Sequence, residues 1–280
     1  LEYQTRIGNK VGLRLFGNLT YSKNKIVFRD EPAMQYAYQK SEGTRYGEFY
    51  GYIAEGYFQS EEEIKKSPRQ MRELAPGDIK YKDLNDDGVI DANDQCYLGK
   101  SWFPSWSYGM GFNINYHNFD LALFFQGVSD VSIMANGGSI DTGNGDWGAS
   151  GVGIVPFTGM GLNPSNVITK ALDRWTADNP RADAWYPRMT ANATTNDNNY
   201  VNSTHWLKDG SYLRLKQASL GYTLENKKLM DKGIEYLYFY LSGQNLLTFS
   251  KFKLWDPELG SNGAKYPLSR MVTLGMRVSF

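Results

Sequence analysis

The chain has 280 residues with 30 basic and 30 acidic side chains, so it carries no net charge to attract nucleic acid. Aromatics make up 15% of it and glycine occurs 29 times, a composition that favours strands and loops over helices. Its longest unbroken apolar run with tyrosine left out, Leu121–Phe125, is far short of the roughly 18 residues a membrane-crossing helix needs, which leaves strands as the only means of crossing.

The opening, LEYQTRIGNK, has no initiator Met, basic region or apolar stretch of a signal peptide, and is expected to lie inside a longer polypeptide. Two strands come first. Leu1–Ile7 is weakly patterned, with Leu1, Tyr3 and Thr5 on one face. Val11–Ser22 alternates well, setting Val11, Leu13, Leu15, Gly17, Leu19 and Tyr21 against Gly12, Arg14, Phe16, Asn18 and Thr20.

A long connection follows, 23–106. Within it, Asp83-Leu84-Asn85-Asp86-Asp87-Gly88-Val89-Ile90-Asp91-Ala92-Asn93-Asp94 has the spacing of a twelve-residue calcium loop. Asp83, Asn85, Asp87, Asp91 and Asp94 would supply side-chain oxygens and Val89 its carbonyl, Gly88 would make the sharp turn, and Ile90 would anchor the loop. Crowded hard oxygens suit Ca²⁺, which would stiffen the loop and play no catalytic part. The shorter Asp at the twelfth position and the absence of a preceding helix depart from an EF-hand, and a plain acidic turn fits the same residues. The single cysteine of the chain, Cys96, rules out an internal disulfide.

Ser107–Tyr116 and Phe119–Gly127 are the best-patterned pair, joined by His117-Asn118, two residue types that tolerate positive φ. A two-residue turn sets Tyr116 opposite Phe119, Ile114 opposite Leu121, Phe112 opposite Leu123 and Met110 opposite Phe125. Asn113, Asn115, Asp120 and Gln126, with Arg14 from the earlier strand, fall on the polar parity and would face a lumen.

The second long connection is 128–210. Trp102, Trp106, Trp147, Trp175, Trp185 and Trp206 lie in or beside the two connections. Most should pack the loops together, because loops of this length need small cores of their own. Trp102, Trp147, Trp185 and Trp206 are the candidates for touching a ligand or partner. His117 and His205 are the two histidines, and neither has a spaced metal-ligand partner. No GxSxG, HExxH or phosphate-binding glycine loop appears, so nothing supports an enzyme.

Three strands remain. In Ser211–Leu224 the apolar phase slips between Leu215 and Ala218, which predicts a bulge at Lys216-Gln217. Glu235–Leu246 sets Leu237, Phe239 and Leu241 against Tyr238, Tyr240, Ser242 and Gln244. Arg270–Phe280 alternates to the C-terminal aromatic, as the closing strands of outer-membrane barrels do.

The connections 8–10, 23–106, 117–118, 128–210, 225–234 and 247–269 alternate short and long without exception. In an antiparallel meander that sorts every short turn to one rim and every long loop to the other, as in outer-membrane barrels. Strands near ten residues, with Tyr21, Tyr108, Tyr116, Phe119, Tyr236, Phe249 and Phe280 at their ends, suit a tilted bilayer crossing with aromatic girdles. The fold expected is all-β: an antiparallel transmembrane β-barrel segment of about seven strands. Seven strands are too few and odd in number, so residues 1–280 would form part of one larger barrel domain. A soluble or surface calcium-binding, glycan-binding β-sandwich or adhesin is the alternative.

The stretches GDIKYKDLNDDG (77–88), FDLALFFQG (119–127), RWTADNPRADAWYPR (174–188), DGSYLRLKQASLGYTL (209–224) and LSGQNLLTFSKFKLWDPE (241–258), with the terminal Phe280, carry a resemblance. The chain resembles the C-terminal part of SusC/RagA-type TonB-dependent outer-membrane transporters of Bacteroidota. The resemblance implies a roughly 22-stranded barrel whose lumen holds an N-terminal plug not contained in this chain. It further implies energy from TonB through that plug, a SusD-like lipoprotein lid over the external loops, and import of oligosaccharide or oligopeptide. Short turns and the C-terminus would then be periplasmic and the long loops extracellular. The lumen-facing residues would meet the plug, and the loop tryptophans the ligand or lid.

Overall fold

One row of side chains crosses seven strands: Thr5, Leu13, Ile114, Leu121, Leu220, Leu241 and Leu274 are successive register partners. The adjacent row, Gln4, Arg14, Asn113, Ala122, Ser219, Ser242 and Thr273, is polar or small and points the opposite way. Period-2 alternation held in register across every neighbour gives this sheet one apolar face and one polar face.

The computed structural model describes residues 1–8, 10–136, 169–189, 197–263 and 265–280. In chain order its strands and helices are β1 (Glu2–Ile7), β2 (Val11–Tyr21), β3 (Glu48–Gly51), β4 (Ala54–Tyr57), α1 (Glu61–Lys66), β5 (Ile79–Tyr81), β6 (Cys96–Ser101), β7 (Trp106–Tyr116), β8 (Phe119–Ser129), β9 (Ser132–Met134), α2 (Asp197–Tyr200), β10 (Leu207–Asp209), β11 (Tyr212–Leu224), α3 (Lys227–Met230), β12 (Tyr236–Ser250) and β13 (Met271–Ser279). The large sheet is an antiparallel meander, β1-β2-β7-β8-β11-β12-β13. All seven expected strands are present. The β7–β8 pairing follows the register expected from its two-residue turn, where His117 takes a positive φ of 53°. The phase slip in β11 is a bulge: Lys216 is skipped between Leu215 and Gln217, so both halves keep their apolar residues on one face.

Two expectations need correction. Glu235–Leu246 was too short, because β12 runs on to Ser250; Asn245, at φ 53°, absorbs the irregularity opposite Lys216 and lets pairing resume at Leu247. The third long connection therefore begins at 251. The β-sandwich alternative also fails. A sandwich buries the apolar face of each sheet under the other, yet Leu274 is 80% exposed and Val272, Met276, Leu19, Leu220 and Leu241 are exposed with it. Among the described residues no helix is long and apolar enough to cross a membrane. An apolar face this broad and uncovered belongs against lipid.

The buried core lies away from the sheet, in the loops. Tyr52, Tyr57, Ile79, Tyr81 and Ile90 of the first long connection pack with Met134, Ala171, Trp175, Ala184, Tyr186 and Trp206 of the second. Three two-stranded ribbons frame it: β3–β6, β4–β5 and β9–β10. A smaller cluster, Ile133, Ala135 and Phe252, brings in the third connection. The two-faced sheet and this loop unit together define the segment: a piece of transmembrane β-barrel wall with its long loops folded into one body at one rim.

Candidate functional site

The polar face holds all five residues expected to face a lumen. Arg14 pairs in register with Asn113, Asn115 with Asp120, and Gln126 with Arg214. Arg14 donates to both carboxylate oxygens of Glu2, at 2.8 and 3.2 Å. Asp120 accepts the Tyr238 hydroxyl at 3.0 Å, and Arg277 sits over the Tyr238 ring at 5.9 Å, within the roughly 6 Å reach of a cation–π contact. Tyr238 was not singled out from sequence, although its even-numbered parity places it on this face. Gly221 makes room for it: a Cβ there would collide with the Tyr238 hydroxyl and Asp120, so the ring lies across the neighbouring strand. Two shallow clefts mark the short-turn end of the face, one lined by Arg6, Arg14, Asn113 and His117, the other by Asn115, Asp120, Tyr238 and Arg277. Mixed donors and acceptors of both charge signs suit contact with a polar protein surface or a polar solute.

At the long-loop rim, two arginines tie the loop unit to the wall. Arg45 donates to Asp130 at 3.1 Å, to the Ser105 hydroxyl at 2.8 Å and to the Phe103 carbonyl at 3.4 Å; Ser105 also donates to Asp130. Arg214, fully buried, donates to both oxygens of Asp256, at 2.5 and 2.7 Å, and pairs with Glu258 at 3.4 Å. Such charge-assisted bonds are stronger than neutral ones and hold the loops to the strand ends.

Inside the loop unit a polar network joins the two long connections. Asp78 takes a two-pronged bond from Arg188, and Asn199 donates to the same carboxylate at 2.8 Å. Asn199 Oδ1 accepts Ile79 N–H, Asn198 accepts from Gln70, and Tyr81 donates its hydroxyl to Asn198 O at 2.6 Å. Trp206 donates its indole N–H to Asn199 O at 2.7 Å. Gly77, at φ +92°, permits the tight entry to Asp78; a side chain there would strike Trp175. Burial pushes the phenols of Tyr57 and Tyr81 upward. His205 is wedged between the Tyr57 hydroxyl and the Trp185 carbonyl, at 3.3 and 3.2 Å. Burial, reinforced by the Lys208 charge and opposed by the bond to Trp185, lowers its pKa to about 4.

The four candidate tryptophans separate. Trp206 is fully buried, with Tyr200 stacked on it and Tyr186 and His205 edge-on to it, so it is a core residue and not the exposed contact expected of it. Trp185 is half-buried under the Lys208 ammonium, 5.2 Å from its ring. Trp102 is exposed. Trp147 lies outside the described residues. Of the remaining two, Trp175 is buried in the same core, whereas Trp106 stands at the end of β7.

In the acidic loop the oxygens point to the loop's own backbone. Asp83 Oδ2 accepts Gly88 N–H, Asn85 Oδ1 accepts Asp87 N–H, Asp87 Oδ1 accepts Val89 N–H, and Asp91 Oδ1 accepts Asn93 N–H. Asp94 is fully buried, with Leu84 and Asp91 N–H groups on its two oxygens at 2.7 and 2.8 Å. Ile90 is buried in the loop core, as an anchor should be. Asp83 Oδ1 is buried without a hydrogen-bond partner. Among the described residues no three acidic, histidine or cysteine groups converge as a metal-binding set. As folded, these oxygens close a series of Asx turns, with Asp83 Oδ1 as the one buried oxygen left over.

Comparison with known proteins fits this architecture. The chain is 30% identical over 241 residues to TonB-dependent receptor P26 of Formosa agariphila, and 28% identical over 255 residues to receptor P3 of the same organism; these alignments cover 80% and 85% of the chain. Its fold matches the RagAB peptide importer in the open-open state, with a TM-score of 0.67 at 20% identity over 100% of the chain. A second RagAB structure, described as a peptide transporter, gives 0.65. No family model matches. The class is thus an outer-membrane β-barrel protein. Within it, the chain is similar in sequence to TonB-dependent receptors and shares its fold with the RagAB importer. It spans 22% of the length of the two receptors and 28% of the RagAB chain.

Proposed function

We propose that this chain forms part of the wall and the external loop unit of a TonB-dependent importer, which moves oligosaccharide or oligopeptide across the outer membrane without catalysing a reaction on it. One observation carries the reading: a seven-stranded sheet with an uncovered apolar face, a polar face opposite, and every long connection at one rim. In this reading Arg14, Asn113, Asn115, Asp120 and Gln126 face the lumen and a plug supplied by another part of the polypeptide. TonB acts through that plug, and a SusD-like lipoprotein closes over the loop unit. The short turns and C-terminus are periplasmic. The structures of similar fold that bear the name of peptide importer favour peptide.

The test is a mild-detergent pull-down of the full-length protein from outer membranes through a tag in the first long connection, with uptake measured in cells with and without TonB. A stoichiometric lipoprotein and TonB-dependent uptake are expected. Recovery of the protein from the soluble fraction without detergent would overturn the reading.

A second, smaller reading concerns the 83–94 loop. The unpartnered Asp83 Oδ1 favours a Ca²⁺ bound there with external-type affinity, replacing some of the Asx-turn bonds.

A further inference from the structure

Exposed aromatic rings continue past the strand ends of the apolar face. Tyr21 and Trp106 close β2 and β7 on that face, with ring centroids 4.5 Å apart. Beyond them the chain keeps pairing: Ser22 N–H donates to Ser105 O at 2.8 Å, Tyr46 N–H to Asn24 Oδ1 at 2.7 Å, and Gly43 N–H to Ile26 O at 2.8 Å. On this extension a second set of aromatics is exposed. Phe28 is 82% and Tyr46 63% accessible, and Trp102 and Phe103 are exposed as well. Tyr46 stacks on Phe103 at 5.9 Å, and Trp102 meets Phe103 edge-on at 5.7 Å. Phe103 precedes Trp106 by three residues, which limits its distance from the strand end to about 10 Å. Residues 22–31 carry Lys23, Lys25 and Arg29 against Asp30 and Glu31, a small basic excess.

Exposed rings in water are unfavourable, and a loop buried in its own core would have drawn them inward as it does Trp175 and Trp206. Rings with polar edges beside snorkelling cations are the side chains that settle at a membrane's polar–apolar boundary. We infer that Phe28, Tyr46, Trp102 and Phe103 form a foot by which the loop unit rests in the anionic headgroup layer of the membrane, prolonging the girdle of Tyr21 and Trp106. The inference rests on the membrane-spanning reading of the sheet. It assigns Trp102 to lipid rather than to ligand or lid. The foot would hold the loop unit at a fixed tilt over the pore rim, with Arg45 transmitting that position to Asp130 at the end of β8.

The experiment uses the full-length protein in nanodiscs of anionic lipid brominated near the headgroup. The fluorescence of Trp102 is taken as the difference between wild type and Trp102→Phe, and that of Trp106 likewise from Trp106→Phe. Quenching of both is expected, and a Phe28→Trp variant should add an emission that is quenched too. Quenching of Trp106 with Trp102 and the Phe28→Trp residue unaffected would overturn the foot while leaving the membrane wall intact. Co-purified lipoprotein lost from a Tyr46→Ser, Trp102→Ser, Phe103→Ser variant, with Trp102 unquenched in wild type, would overturn it in favour of a protein surface. If neither tryptophan is quenched, the membrane-spanning reading itself fails and the foot with it.

Discussion

Arg188 grips Asp78 across 110 residues of chain, Nε and Nη2 donating to the two carboxylate oxygens at 3.0 and 2.9 Å. Asp78 is 1% exposed, so this fork fastens the second long connection to the first inside a desolvated site. Removing one partner of a buried pair leaves the other charge stranded, at a cost of about 3–5 kcal/mol. Arg188→Leu should therefore open the loop unit. Hydrogen exchange should rise across 52–94 and 171–189 while the barrel stays heat-modifiable on gels. Unchanged protection in the loops would show that the core holds without the pair.

His205 gives the loop unit a pH dependence. Its ordinary pKa is 6.5 and its folded value about 4, so between these the unfolded chain binds a proton that the folded chain refuses. Stability of the loop unit is complete above about 6.5 and falls as pH drops towards 4, by on the order of 1–3 kcal/mol. The groups facing the ring are the Tyr57 hydroxyl, the Trp185 carbonyl and Lys208. Thermal melts of the full-length protein at pH 7 and pH 4.5 should diverge, and His205→Gln should narrow the gap. An equal gap in both proteins would remove His205 as its source.

The bulge at Lys216 predicts an asymmetry among single-residue deletions. Deleting Lys216 joins Leu215 to Gln217, which already face opposite sides, so every β11 side chain keeps its face. Deleting Ser219 shifts one half of the strand to the wrong face. Assembly into a heat-modifiable barrel should survive the first deletion and fail after the second.

Calcium at about a millimolar should raise the melting temperature of the loop unit, and Asp83→Asn should abolish the rise. Identical melting in calcium and in chelator would leave the loop as an Asx-turn staple closed by Asp94.

The wall was legible because its information is local. Alternation named the strands, His117-Asn118 set the register of β7 and β8, and the slip between Leu215 and Ala218 exposed the bulge. The loop unit was legible only as a need for some core. Its ribbons are three to six residues long, too short for a period, and its contacts join residues far apart, such as Gln70 with Asn198. Nothing in the neighbourhood of Trp206 distinguishes it from Trp102, yet one is buried and the other exposed. Gly77-Asp78 and Arg188 stood in two conspicuous stretches, but only folding reveals that they meet. The acidic loop was read from spacing alone, which cannot tell an oxygen aimed at a cation from one aimed at a backbone N–H.

The claim that the apolar face meets lipid is tested most directly on two neighbours in β13. Leu274 points to the apolar face and Thr273 to the polar one, both in the middle of the strand. An arginine at the lipid midplane of a barrel costs about 2–4 kcal/mol, whereas lumen positions tolerate polar change. In the full-length protein, Leu274→Arg should sharply reduce the folded, heat-modifiable barrel recovered from outer membranes, and Thr273→Arg should leave it near wild type. Equal recovery of both variants, or loss of Thr273→Arg alone, would contradict the account.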